Sequence, residues 1–197
     1  MIIKIKLCGD KPLVFDTQVV KELRCQHRIV GALIGTLPRL PLQNAFLGLP
    51  LQLLPEETTL LLKKELATVD PVESWTYPNT YAEQLRYQVF EYLWSRQLYV
   101  TSGLKFGGDY LAYLGDPMRF HSHYIVTAKD RHESMTTLDI ISMGRLATNV
   151  KKTYVIISPT KEDHPHHSKE ENNIDNIDSK DNISSKMDVY SIEWAGF

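Results

Sequence analysis

The run from Asp70 to Asn79, DPVESWTYPN, limits what this chain can fold into more than any other stretch. Pro71 and Pro78 each lack a backbone donor and push the preceding residue out of the helical region, so neither a helix nor a central strand can pass through. The chain on either side must be built as separate pieces: residues 1–70, a linker at 71–79, and residues 80–197. With 197 residues, 43% of them hydrophobic, the chain is long enough for one large domain or two small ones, each with its own core, and two is the favoured reading.

In the first piece, Ile3, Ile5 and Leu7 alternate with Ile2, Lys4 and Lys6, the period of a half-buried strand, and Val14-Phe15 is a second strand candidate. Asp16 or Thr17 caps a helix through Val19, Val20 and Leu23. Ile29 to Leu37 reads as a strand or tight turn region ended by Pro38-Arg39-Leu40-Pro41. Pro55-Glu56-Glu57 opens a helix, with acids where the dipole favours them, and Leu66 to Val69 follows as a short strand.

In the second piece, Ala82, Leu85, Val89, Tyr92 and Leu93 keep a helical period between Thr80 and Tyr99. Extended segments are expected at Lys105-Phe106, Tyr110 to Tyr113 and His123 to Thr127. Thr136 caps a helix over 137–149, and strands follow at Thr153 to Ser158 and Val189 to Trp194. The fold class is α+β: a small N-terminal α/β domain, then a mixed sheet packed with helices.

Residues 161–186 are polar and poor in aromatics, the composition of a disordered acidic insertion between two strands. This stretch changes how the net charge of −2 is read. Between Lys161 and Asp188, eight acids face four lysines, so the rest of the chain carries a small positive balance. Such a body suits a few placed phosphate contacts, not a non-specific nucleic-acid footprint. Cys8 and Cys25, without a second pair, are expected to be free packing residues of a reducing compartment. No apolar run reaches the roughly 20 residues of a membrane span, and MIIKIKLCGD lacks a signal-peptide pattern. A soluble intracellular protein is the expectation.

The chemistry-bearing residues cluster in GLKFGGDYLAYLGDPMRFHSHYIV and, downstream, RLATNVKKTYVII. Tyr113 precedes His121 by eight positions, with the turn-forming Leu114-Gly115-Asp116-Pro117 between them, and Lys151-Lys152 stand where a helical pattern meets a strand. RNA supplies its own nucleophile, the 2′-hydroxyl. A catalyst need only remove that proton, give one to the leaving 5′-oxygen and stabilise the charge between them. Histidine, with a pKa of about 6.5, can donate at cellular pH; tyrosine, at about 10, needs a nearby cation, which lysine provides while also meeting phosphate oxygens. Spacing alone leaves open that Tyr113 is a strand-edge tyrosine and His121 a surface residue.

His121 and His123 would share a strand face, but no further ligand stands at metal spacing, so no metal is expected there. His132 is isolated, and His164, His166 and His167 lie in the insertion. Arg145 and Trp194 could hold an extruded base by stacking and cation–π attraction, or be a solvated charge and a core indole. Lys105 and Lys151 read as solvated charges, with phosphate contact as the alternative.

The strings KFGGDYLAYLGDPMRFHSHYIV, GRLATNVKKTYVIIS and YSIEWAGF resemble the catalytic domain of the tRNA-splicing endonuclease family, in particular its eukaryotic 3′-splice-site subunit. VGALIGTLPRLPLQNAFLGLPLQLLPEE is similar to the same subunit. The resemblance implies that Tyr113 is the general base, His121 the general acid and Lys152 the stabiliser of the phosphorane. Lys151 stands where arginine is common, keeping charge but losing the bidentate fork. Arg145 and Trp194 would bind substrate at the partner's active site. The implied activity is cofactor-free, metal-independent cleavage of intron-containing pre-tRNA, giving 2′,3′-cyclic phosphate and 5′-hydroxyl ends. The implied partners are a second catalytic subunit and two structural subunits of a heterotetramer, joined partly by C-terminal strand pairing and an acidic loop. The implied location is the nucleus, or the mitochondrial outer surface as in some fungi. A non-catalytic scaffold or RNA-binding subunit of the same complex is the alternative.

Overall fold

The computed structural model describes residues 2–36, 47–71, 74–160 and 186–193. In the N-terminal unit, β1 (Ile3–Cys8) buries Ile3 and Ile5 and exposes Lys4 and Lys6, then turns back as β2 (Lys11–Val14). The helix α1 (Thr17–Gln26) starts where Asp16 accepts a 2.7 Å hydrogen bond from Gln18 N, and it buries Val19 and Leu23, four apart on one face. β3 (Ala32–Gly35), β4 (Gly48–Gln52), α2 (Pro55–Lys63) and β5 (Ala67–Asp70) complete a mixed sheet ordered β3-β4-β2-β1-β5. Only β1 and β5 run parallel in it.

The second unit opens with α3 (Tyr81–Ser95), whose start is a reciprocal cap: Thr80 Oγ1 accepts from Glu83 N, and Glu83 accepts from Thr80 N. β6 (Tyr99–Ser102), a short 3₁₀ turn at Leu104–Phe106, β7 (Tyr110–Tyr113) and β8 (Tyr124–Ala128) follow. Then come α4 (Thr137–Asn149), β9 (Thr153–Pro159) and β10 (Met187–Ile192). The sheet order is β10-β9-β8-β7-β6. β8 and β9 are parallel because α4 carries the chain across; the other pairs are antiparallel.

Instead of one core per unit, a single buried cluster runs from Ile3, Ile5 and Leu23 through Leu60 and Leu61 of α2, and Leu85, Val89 and Phe90 of α3. It ends at Tyr110, Val126 and Ile157 of the second sheet. The reason is α2, which is buried on nearly all sides, its two glutamates included. Glu56 Oε1 accepts from Tyr77 Oη at 2.6 Å and Tyr110 Oη at 2.9 Å, joining α2 to the linker and to β7. Glu57 accepts from Val30 N, Gly31 N and Leu54 N at 2.9, 3.1 and 2.8 Å. The described part of the linker is docked as well: Trp75 Nε1 donates to Thr59 Oγ1, which donates to Tyr77 O.

A second cluster (Leu111, Ile125, Ala147, Tyr154, Ile156) fills the opposite face of the second sheet, beneath α4. Three sequence expectations need correction. Cys8 and Cys25 are exposed rather than packed. Lys105-Phe106 belongs to the 3₁₀ turn, because Gly103 N and the turn close on Asp109 and Leu104 instead of on a neighbouring strand. β4 and β6 went unrecognised in the sequence. Trp194, the Pro38–Pro41 run and residues 161–185 lie outside the described residues. Among the described residues, no helix is long and apolar enough to cross a membrane.

Candidate active site

The site sits at the end of the second sheet where β7 stops, β8 starts and α4 hands over to β9. β7 is gripped at its first residue, Tyr110, by Glu56, and ends at Tyr113. Gly103 packs directly against the backbone of that same first residue. A Cβ there would lie 2.7 Å from the backbone of Tyr110, so only glycine lets the 3₁₀ turn pass this close to the strand. Alternation along β7 sends Tyr110 and Ala112 into the main core, and Leu111 and Tyr113 to the α4 face.

Tyr113 is half-buried and pairs with Tyr99 of β6, and Thr101 Oγ1 donates to its phenol oxygen at 3.4 Å. It lines a cavity of about 340 Å³ whose far wall comes from the N-terminal unit: Gly31, Ala32 and Gln52, facing Lys105 and Phe106. The candidate base therefore stands in a cleft between the two units.

His121 is exposed and precedes β8 by three residues, so it stands on the approach to the strand and not within it. The loop behind it is knotted at Asp116. Its carbonyl accepts from Arg119 N at 2.8 Å and Phe120 N at 3.0 Å, and its Oδ1 accepts from Met118 N at 2.8 Å. Arg24 of α1 closes on the same carboxylate with a fork, Nε to Oδ2 at 2.9 Å and Nη2 to Oδ1 at 2.7 Å. The guanidinium holds the Asp116 carboxyl down at about 2.

Lys152 reaches the site through the end of α4. Lys151 N donates to Thr148 O and Lys152 N to Ala147 O, a paired closure that requires a left-handed residue at Lys151, where φ is 54°. The turn delivers Lys152 beside the chain before β8. Lys152 Nζ donates to Ser122 O at 2.9 Å and Thr153 N to His123 O at 2.9 Å. His121, His123, Thr148, Lys151 and Lys152 line one depression of about 520 Å³.

The structure thus brings His121 and Lys152 to one depression and sets Tyr113 in a separate cleft, with no lining residue shared between them. Phe106 stands between the two, lining the Tyr113 cleft with its ring centre 5.6 Å from Lys152 Nζ. An ammonium has three N–H donors; the Ser122 carbonyl takes one and leaves the others for an anion. His123 is exposed beside Tyr124, and among the described residues no three His, Cys, Asp or Glu converge. Arg145 is exposed on α4 and is not one of the residues lining either cavity. Sequence reasoning missed Phe106, the Ser122 carbonyl and Arg24. A cation in the last turn of α1 was the one readable sign of the last.

Comparison with known proteins adds two family models. Residues 3–71 match the TSEN34-like, N-terminal domain, and residues 84–166 match the tRNA intron endonuclease, catalytic C-terminal domain. Over 98% of the chain and 97% of the relative, it is 27% identical to the probable tRNA-splicing endonuclease subunit sen34 of Schizosaccharomyces pombe. It is 40% identical to the tRNA-splicing endonuclease subunit Sen34 of Mus musculus over 44% of this chain and 28% of that protein. The Saccharomyces cerevisiae subunit SEN34 is 40% identical over 51% of this chain and 30% of its own length. The aligned stretch therefore spans under a third of the mouse and budding-yeast proteins.

Proposed function

The chain belongs to the tRNA-splicing endonuclease family, and we propose that it is the subunit that cuts intron-containing pre-tRNA at the 3′ splice site without a metal. Tyr113 takes the proton of the 2′-hydroxyl, whose oxygen attacks the adjacent phosphorus. The bond from phosphorus to the 5′-oxygen breaks, and His121 gives that oxygen a proton. Lys152 stabilises the extra negative charge on the non-bridging oxygens between these steps. The products are a 2′,3′-cyclic phosphate and a 5′-hydroxyl.

The observation that carries this reading is the hydrogen bond from Lys152 Nζ to Ser122 O at 2.9 Å. It tethers a cation with spare donors one residue from His121, next to the cleft that holds Tyr113. A preorganised donor beside the reacting phosphate costs no reorganisation when charge develops. The subunit works in a heterotetramer with a second catalytic and two structural subunits, in the nucleus. Arg145, exposed on α4, stacks with Trp194 on an extruded base at the partner's site.

The test is the assembled endonuclease carrying His121→Ala. It should bind pre-tRNA normally, cut the 5′ splice site and fail at the 3′ site; normal cutting at the 3′ site refutes the assignment.

A further inference from the structure

We propose that Arg24, in the N-terminal unit, is a positioning residue for RNA cleavage: it anchors the loop that aims His121 and acts through that histidine. The role rests on His121 being the general acid. Of the ion pairs Arg24–Asp116, Lys129–Glu133 and Arg131–Asp188, the first alone joins the two units. Its partner lies between Tyr113 and His121, 92 positions from Arg24.

The loop has little else to hold it. Leu114, Met118 and Phe120 are 59%, 80% and 50% exposed, so burial contributes little and the fixed geometry depends on the hydrogen bonds at Asp116. Five of these converge on one residue: two from Arg24, and one each from the amides of Met118, Arg119 and Phe120. His121 follows immediately. Downstream, the chain is pinned where His123 N meets Ala112 O and Ser122 O meets Lys152. His121 is therefore suspended between two anchors, one of which is supplied by the other unit.

The anchoring arm is stiff. Arg24 stands in the last turn of α1, where the helix end favours a cation, and the helix is pinned by buried Val19 and Leu23. A forked pair fixes orientation as well as distance, which a point charge does not. Displacing a proton donor by about 1 Å can cost a factor of 10² in rate.

The experiment uses the assembled endonuclease and single-turnover cleavage at the 3′ splice site. With Arg24→Ala the rate at saturating enzyme should fall about 10- to 100-fold with pre-tRNA affinity unchanged. Arg24→Lys, which keeps the charge and loses the fork, should fall between Arg24→Ala and wild type. The decisive readout is a pre-tRNA with sulfur replacing the bridging 5′-oxygen at the cut. A thiolate leaves without a donated proton, so this substrate should restore both Arg24→Ala and His121→Ala to near the wild-type rate. An unchanged rate for Arg24→Ala, a loss confined to affinity, or a loss the sulfur substrate does not restore while it restores His121→Ala overturns the proposal. Normal cleavage of the ordinary substrate by His121→Ala would overturn the general-acid reading itself, whatever Arg24→Ala does.

Discussion

Glu57 should make the fold pH-sensitive in a direction unusual for a carboxylate. Its side chain is wholly buried on α2, and that burial pushes its pKa up to about 7, against the pull of three backbone N–H donors from Leu54, Gly31 and Val30. An ordinary glutamate titrates near 4.5 in the unfolded chain, so between these values the folded state binds the extra proton. Stability is then fully present below about 4.5 and is lost as pH rises through about 7. A gap of roughly 2.5 units at 1.36 kcal/mol each gives about 3 kcal/mol, or about 6–12 °C in melting temperature for a chain of this size. The assay is thermal unfolding of wild type and Glu57→Gln from pH 4.5 to pH 8. Wild type should lose this amount relative to the variant, which cannot ionise and keeps a level profile. Parallel profiles for the two proteins would mean that Glu57 does not carry this pH dependence.

Other expectations can be checked by simple substitutions. Phe90→Ala empties a fully buried site beside Tyr110, whose ring centre is 5.8 Å away, and should cost about 3–5 kcal/mol in urea unfolding. Lys151→Gly relieves the left-handed strain at φ 54° and should stabilise the fold by about 1 kcal/mol, measured by thermal melting. Gly115→Ala would put a Cβ 2.6 Å from the half-exposed ring of Phe120. The ring can swing away, so stability should change by less than about 1 kcal/mol while cleavage slows, read by comparing melting with single-turnover rate.

The sequence made the helices legible because their signals are local. Thr136 as cap and the end near Asn149 were readable, and the structure adds the reciprocal bonds between Thr136 and Asp139. Alternation along β1 was readable for the same reason. The sites of Glu56 and Glu57 were not: acids in a helix's first turn look like surface charges favoured by the dipole, and only packing by both units turns them into buried acceptors. The core shared by the two units was hidden because the proline linker marks a break in secondary structure, not in packing. At the site, the positions of Tyr113, His121 and Lys152 came from motif spacing and resemblance. The contact between Lys152 and the Ser122 carbonyl, and the Arg24–Asp116 fork, join residues 30 and 92 positions apart and leave no periodic trace.

If one phosphate is served by His121, Tyr113 and the ammonium of Lys152, the two neighbouring lysines are not interchangeable, which is measured by comparing Lys152→Ala with Lys151→Ala in the assembled endonuclease. Lys152→Ala should slow single-turnover cutting at the 3′ splice site by at least about 10²-fold with RNA binding and the 5′ cut retained, while Lys151→Ala should change it by less than about tenfold. Equal effects of the two substitutions, or full 3′ cutting by Lys152→Ala, would contradict that role for Lys152.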